Sequence, residues 1–571
     1  MPAVALIITI TGLRCHKAHH TGEDPDGCPA VDAGRRAEAG REDGADADAD
    51  LDTDTDTDND ADADSDSDSD SDADADADAD SDAAVKSGNL LWVRSAGSPA
   101  TLDYGQALAV LQDGSVIITG NFSSRASFGL EDPNATHFWS EGETDIFIAG
   151  YDSDGALAWA KRAGGTGADE CTGIAPLPDG SSFITGYFNN TASFGKGENN
   201  ETSLTIEGTY ENEDIFIARY NADGTLAWAK NAGGAGDDRG VAVTTMQNGN
   251  AVFTGDFSYD AVFGKDEINE TFFGLDAGLF NNNVFLAMYA GDGSLVWAKC
   301  VKGANVADIT SEAGRGIFIT GYFDWIAYFA QGEPIETLFT DAGMSTPFLA
   351  RYNFDGGLEW ARRVDTRYTA ANPYDGQSKG KNISITPDGT VLLTGQFAGE
   401  AVFGPGESEE TILVSAGYVP YDQYNSVCTD IFVARYSPDG ELIRVWRAGD
   451  TTTDKGMGIQ SLADGSFLLS GFFSNSLLLG EEQENETTLY SDLIYGTFLA
   501  KYDSAFEMIW AITAVENNNI PRTMGMGATK DGSAFLTGDY GWEAWFDRDG
   551  PNSKWMLASG TKDIFIARFA P

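Results

Sequence analysis

Asp-Ile-Phe-Ile-Ala-Arg-Tyr, at Asp214–Tyr220, returns with small changes at Asp145–Tyr151, Asn283–Tyr289, Thr346–Tyr352, Asp430–Tyr436, Gly496–Tyr502 and Asp563–Phe569. Seven copies in a 571-residue chain mark a repeat array, in which one unit cannot bury its own faces and its neighbours complete the core. The phrase reads as a strand. Its side chains alternate, with Ile215, Ile217 and Arg219 on one face and Phe216, Ala218 and Tyr220 on the other. Both faces are largely apolar, as expected of a sheet packed between two others.

Further markers recur around each copy. A Thr-Gly pair stands at Thr119, Thr185, Thr254, Thr320, Thr394 and Thr537, and as Ser-Gly at Ser470. Nine residues after each comes Phe128, Phe194, Phe263, Phe329, Phe403, Leu479 or Phe546. Asp-Gly or Asn-Gly dipeptides, such as those at Asp179 and Asp223, supply the positive φ that tight hairpins need. Each unit thus reads as four strands. In repeat two these are A (Gly-Ile-Ala-Pro-Leu-Pro, from Gly173), B (Ser-Phe-Ile-Thr-Gly-Tyr-Phe, from Ser182) and C (Asp214–Tyr220). Strand D of the preceding unit is Leu-Ala-Trp-Ala-Lys, from Leu157. Sustained helical periodicity is absent. Four antiparallel strands repeated radially make a β-propeller, so the expected fold is an all-β, seven-bladed β-propeller. Leu90–Ser95 is a D strand with no A, B or C before it, and the last C strand, Asp563–Phe569, has no D after it. The expectation is that the first completes the last blade, which removes two open edges.

The run Trp159-Ala-Lys-Arg-Ala-Gly-Gly, then Gly173-Ile-Ala, Asp179-Gly180 and Thr185-Gly186, resembles the SBBP (seven-bladed β-propeller) repeat family of bacterial exported and surface proteins. The resemblance covers roughly residues 90–571. It implies a propeller and an exported setting, and it implies no single activity.

Charge narrows the function classes. The chain carries a formal −55, and residues 88–571 alone hold 64 acidic against 29 basic residues, a net −35. Such a surface repels phosphate backbones and anionic membranes, so nucleic acid is not expected as a partner and a cation or cationic partner is favoured. Five cysteines without a Cys-x-x-Cys pair make neither a disulfide framework nor a zinc ribbon. Three segments are expected: a leader at 1–22, an acidic linker at 23–87 and the propeller at 88–571. Ala3–Leu13 has the length of a signal-peptide apolar region. Cys15 resembles the lipid-accepting Cys of a bacterial lipoprotein leader, although Arg14 stands where that family places a small residue. From Asp46 to Asp82 every second residue is Asp, which reads as an extended, self-repelling tether. The expected setting is export, as a cell-surface or outer-membrane lipoprotein or a secreted protein, monomeric, touching the membrane only through an N-terminal lipid.

Strand direction places the A–B and C–D turns on one face and the B–C and D–A connections on the other. Length varies only on the second face, where repeat five carries the longest B–C connection, 25 residues at Pro405–Thr429, beside a long D–A crossover at Asp365–Lys381. These bring Tyr368, Tyr374, Tyr418, Tyr421 and Tyr424 as candidate contacts for a protein or glycan. Asp103, Asp169, Asp238 and Asp454 each stand ten residues before an A–B turn, as candidate Ca²⁺ ligands or as caps on crossover amides. Asn134, Asn200, Asn269 and Asn485 begin Asn-x-Thr sequons, which in a host without glycosylation are turns. His137 is the one histidine of the repeat region, which leaves a Ser-His-Asp triad almost no material. The expected function is a non-catalytic binding or scaffold module without a cofactor. The alternative is a carbohydrate-active hydrolase or lyase using carboxylates on the loop-bearing face.

Overall fold

The computed structural model describes residues 87–98, 102–206, 212–274, 282–341, 345–367, 378–416, 428–518 and 523–571. The leader, Cys15, nearly all of the acidic linker and Tyr368, Tyr374, Tyr418, Tyr421 and Tyr424 lie outside the described residues.

Every regular element among the described residues is a strand. Strands A to D of repeat one are Tyr104–Val110, Val116–Phe122, Asp145–Tyr151 and Leu157–Gly165, hydrogen-bonded as A-B-C-D in antiparallel pairs. The same order holds in the other repeats. In places one strand serves two roles: Leu295–Glu312 is both D of repeat three and A of repeat four. Strand D beside Asp563–Phe569 is Leu90–Ala96, with Val93 opposite Ala567 and Ser95 opposite Phe565.

The core lies between sheets. Phe216, Ala218 and Tyr220 pack with Ile146 and Ile148 of the preceding repeat, and Ile215 and Ile217 pack with Phe285, Ala287 and Tyr289 of the next. Fully burying each such side chain is worth about 1.5–3 kcal/mol. Ile564 and Ile566 of repeat seven pack in the same way with Phe147, Ala149 and Tyr151 of repeat one. Successive A strands adjoin, and Tyr104–Val110 of the first repeat also lies against Thr523–Ala528 of the last.

The Thr-Gly marker acquires a cause. Thr185 Oγ1 donates to the carbonyl of Phe216 at 2.9 Å, tying B to C, and Thr119, Thr254, Thr320, Thr394 and Thr537 each bond the equivalent Phe carbonyl. Strand A bulges between Cys171 and Gly173, and this brings the Glu170 carbonyl to 2.0 Å from where a Cβ of Gly186 would stand. Gly120, Gly255, Gly321, Gly395 and Gly471 face the same 2.0 Å approach. Only glycine fits there.

The expected four strands per unit are incomplete. Each B–C connection also contains a two-stranded hairpin, such as Thr191–Phe194 with Thr202–Thr205. The aromatic nine residues after Thr-Gly is its buried anchor: Phe194 lies 5.0 Å from Phe216, and Phe128, Phe263, Phe329, Phe403 and Phe546 meet their own strand C phenylalanines at 4.8–5.2 Å. The hairpin tip then grips the start of strand D. Glu198 Oε2 accepts the Leu226 amide at 2.6 Å while Asn200 Nδ2 donates to the Leu226 carbonyl at 3.2 Å. Glu267 with Asn269 holds Leu295 in this way, and Gln483 with Asn485 holds Met508. In repeat seven Asp547 and Asn552 grip Leu90, each at 2.8 Å.

Candidate binding face

The two faces differ in how their backbone is used. On the turn face, Arg219 of strand C donates to the Gly291 carbonyl in the next repeat's C–D turn at 3.0 Å and pairs with Asp179 of its own A–B turn at 3.4 Å. Trp228 of strand D donates to the same Gly291 carbonyl at 3.0 Å. Both turns therefore share a face, as strand direction requires. Arg568 and Trp92 repeat this geometry on Ser153 of repeat one, at 2.9 and 3.0 Å. Bonds between repeats thus run along the turn face, which also holds a cavity of about 500 Å³ lined by Gln112, Asp113, Asp152, Asp179 and Ala222.

The opposite face carries the D–A crossovers and the hairpins. Asp169 accepts the Gly165 amide at 2.7 Å and the Asn189 amide, at the end of strand B, at 3.2 Å. Asp238 does the same with Gly234 and Ser258, at 2.8 and 2.9 Å. Asp103 accepts from the Ser123 amide and the Ser98 hydroxyl, and Asp454 from the Asp450 amide. All four are buried. Their carboxylates are engaged as caps on backbone amides, the role Asp takes in turns.

Each has a second carboxylate nearby, the Asp that opens a strand C phrase. A Cβ on Gly164 would sit 2.9 Å from both Asp145 and Asp169, and one on Gly97 2.7 Å from Asp563 and 3.1 Å from Asp103. These glycines have φ of +137° and +147°, so the close approach and the backbone conformation both call for Gly. Burial, reinforced by the neighbouring carboxylate, pushes Asp103 and Asp169 up to about 7 and Asp238 to about 8. Asp454 is raised well above 3.8 by the same causes. A Ca²⁺ site draws on six to eight oxygens. Among the described residues no group of three or more His, Cys, Asp or Glu is spaced to hold a metal ion.

A cavity of about 440 Å³ is lined by A-strand residues of all the repeats, including Leu108, Ile174, Val243, Val306, Asn382 and Met526. Its carboxylate is Asp308, pushed up to about 7 by burial and accepting from Asn382 Nδ2 at 2.8 Å and the Ile383 amide at 2.9 Å. The other raised carboxyls named above do not line it. His137 sits on the exposed side of a hairpin strand, with Nδ1 2.8 Å from Ser127 Oγ.

No protein-family model matches the chain. The SBBP resemblance therefore rests on the sequence markers alone. An uncharacterized WD repeat-containing protein of Acanthamoeba polyphaga mimivirus is 21% identical over 480 residues, which cover 76% of this chain and 34% of that protein. The regulatory protein FlaEY of Caulobacter vibrioides is 29% identical over 140 residues, 24% of this chain and 14% of its own. This chain thus spans about a third of the first relative's length, and less of the second's. Among solved structures, that of the Dos1 propeller aligns with a TM-score of 0.37 and 8% identity, over 85% of this chain and 95% of that one. Repeated antiparallel sheets and the WD-repeat likeness agree. The fold is a β-propeller.

Proposed function

We propose that this chain is a seven-bladed β-propeller, closed by Leu90–Ala96, that serves as a non-catalytic binding or scaffold module. Its ligand contacts lie on the face bearing the B–C and D–A connections. The observation that carries this reading is the asymmetry between faces. The turns of one face keep one length and carry Arg and Trp bonds between repeats, whereas all variation in loop length, including Pro405–Thr429, falls on the other. Support for closure comes from repeat seven, which makes toward Leu90–Ala96 and repeat one the bonds other repeats make toward their own D strand and successor.

The reading also holds that the protein is exported and tethered at the surface, monomeric, through the leader at Ala3–Leu13 and the acidic spacer. Tyr368, Tyr374, Tyr418, Tyr421 and Tyr424 belong to the proposed contacts. The test is capture on glycan arrays and from surface extracts by the full chain, beside a variant with residues 405–429 cut to the common length of 15. The reading expects ligands held by the parent and lost by the variant. Equal capture by both would contradict it.

A further inference from the structure

Between strand B and the hairpin of each repeat stands a residue in the left-handed region. The φ values are +60° at Ser124, +61° at Asn190, +64° at Tyr259, +69° at Trp325, +69° at Gly399, +59° at Asn475 and +59° at Trp542. Gly, Asn and Ser are small or locally hydrogen-bonding residues that accept this backbone, whereas a Tyr or Trp there is an outlier. Strain of this kind persists where the surroundings impose it, and it gathers at ligand-binding sites. The surroundings do impose it: the carbonyls of Trp325 and Trp542 accept the amides of Asp341 and Ala558 from the far end of the hairpin, each at 2.9 Å.

The three rings gain no core packing for this cost. Tyr259 is 61% exposed, Trp325 62% and Trp542 71%. Each has a carboxylate next to it in sequence: Asp260, which accepts the Ala235 amide at 2.8 Å, Asp324, which accepts the Ser345 hydroxyl at 2.9 Å, and Glu543, which accepts from Asn518 Nδ2 and Trp555 Nε1, each at 3.3 Å. Position on the molecule adds to the case, because the end of strand B lies beside the D–A crossover, on the loop-bearing face. Ser258, immediately before Tyr259, bonds Asp238 of that crossover at 2.9 Å.

An exposed ring on a surface of net −35 (29 basic against 64 acidic residues) suits a cation that can sit over the ring face within that negative field. The chain itself uses this chemistry. Trp139, 64% exposed on the hairpin of repeat one, has the guanidinium of Arg125 over it at 6.0 Å. Among the described residues no such cation lies over Tyr259, Trp325 or Trp542.

We propose that Tyr259, Trp325 and Trp542 are preformed docking points for a Lys/Arg-rich segment of a partner protein, each taking a guanidinium or ammonium over its exposed ring face. This rests on the loop-bearing face being the binding face and names the chemistry of its partner.

The test uses the full chain and the triple variant Tyr259→Asn/Trp325→Asn/Trp542→Asn, which places at these points the residue that repeats two and six carry. It leaves net charge unchanged, so attraction to the acidic surface and the Asp-rich linker is the same in both. Binding of a labelled peptide of alternating Arg and Gly is measured by fluorescence anisotropy at physiological salt, with a neutral oligosaccharide series in parallel. The expected result is peptide affinity lowered by roughly tenfold or more in the variant, with a Tm equal to or above the parent's because Asn accepts positive φ. Equal peptide affinity in both proteins would overturn the proposal, leaving charge alone as the attraction. A lower Tm would overturn it too, by making the rings structural, and so would ring-dependent binding of the oligosaccharide without the peptide. If the shortened 405–429 variant loses its ligands while the triple variant binds peptide like the parent, this inference fails and the assignment of the binding face stands.

Discussion

Single residues of the recurrent phrases have partners that chain order hides. Thr185 and Gly186 can be counted along the chain as a marker, but the acceptor of the Thr hydroxyl is Phe216, 31 residues on, and the group that excludes a Cβ is the Glu170 carbonyl. Thr185→Val leaves a buried carbonyl without its donor and should cost about 1–3 kcal/mol in denaturant unfolding. Gly186→Ala forces a methyl group against backbone and should cost more, above about 3 kcal/mol. A larger loss for Thr185→Val than for Gly186→Ala would show the pair has been misread. Two half-buried carboxyls make a second prediction at this scale. Asp256 and Asp308 are moved from 3.8 to about 7 by burial, against amide bonds from Val306 and Ile383 that lower them. A carboxyl whose pKa is higher folded than unfolded stabilises the fold while protonated. That contribution is full below about pH 4 and is lost as pH rises through about 7. The Tm should therefore fall between pH 5.5 and 8. Asp308→Asn should flatten the slope, because its amide stays neutral throughout, and a slope unchanged by that substitution would contradict the assignment.

Among elements, strands A to D were legible because Asp-Gly turns, Thr-Gly pairs and alternating apolar residues all point the same way. The hairpin inside each B–C connection was not. Where its strands stand apart from B and C they are three or four residues long, and sequences such as Thr-Ser-Leu-Thr at Thr202–Thr205 lack a continuous apolar face. The aromatic anchor was visible as a register mark, yet its purpose, packing on strand C, depends on the connection folding back. The sequons likewise concealed a structural use: Asn200 and Asn269 hold the first carbonyl of a D strand. Glu198→Ala should cost about 1–3 kcal/mol by freeing the Leu226 amide and the Lys161 ammonium that it pairs at 2.7 Å. Hydrogen exchange read at Leu226 checks this, since the amide should lose protection while strands A to C keep theirs. The proposed contact face was legible only in part. Loop length pointed to it, but the positive φ that presents Tyr259, Trp325 and Trp542 leaves no trace in a pattern of apolar and polar residues.

At the scale of the whole molecule, repeat seven reproduces with Leu90–Ala96 and repeat one what the other repeats do locally. Strand pairing, the grip of Asp547 and Asn552 on Leu90, the Ser153 carbonyl shared by Arg568 and Trp92, and the Asp563–Asp103 approach all span the length of the repeat region. Deleting 31–85 should leave the Tm unchanged, because a self-repelling Asp run has little to bury. Deleting 88–97 should lower it by many degrees by exposing the edge of Asp563–Phe569 and the Leu90 side of its core. The measurement that reaches closure most directly is a cross-link. Val93 stands opposite Ala567 in the pairing of Leu90–Ala96 with Asp563–Phe569, and antiparallel partners lie within the Cα separation a disulfide spans. The account predicts that a Val93→Cys/Ala567→Cys chain, oxidised at low concentration, forms an intramolecular disulfide in nearly every molecule. Its Tm then rises above that of the reduced form, and neither single variant does the same. Two thiols that stay free in the folded protein, or that join only between molecules, would contradict it.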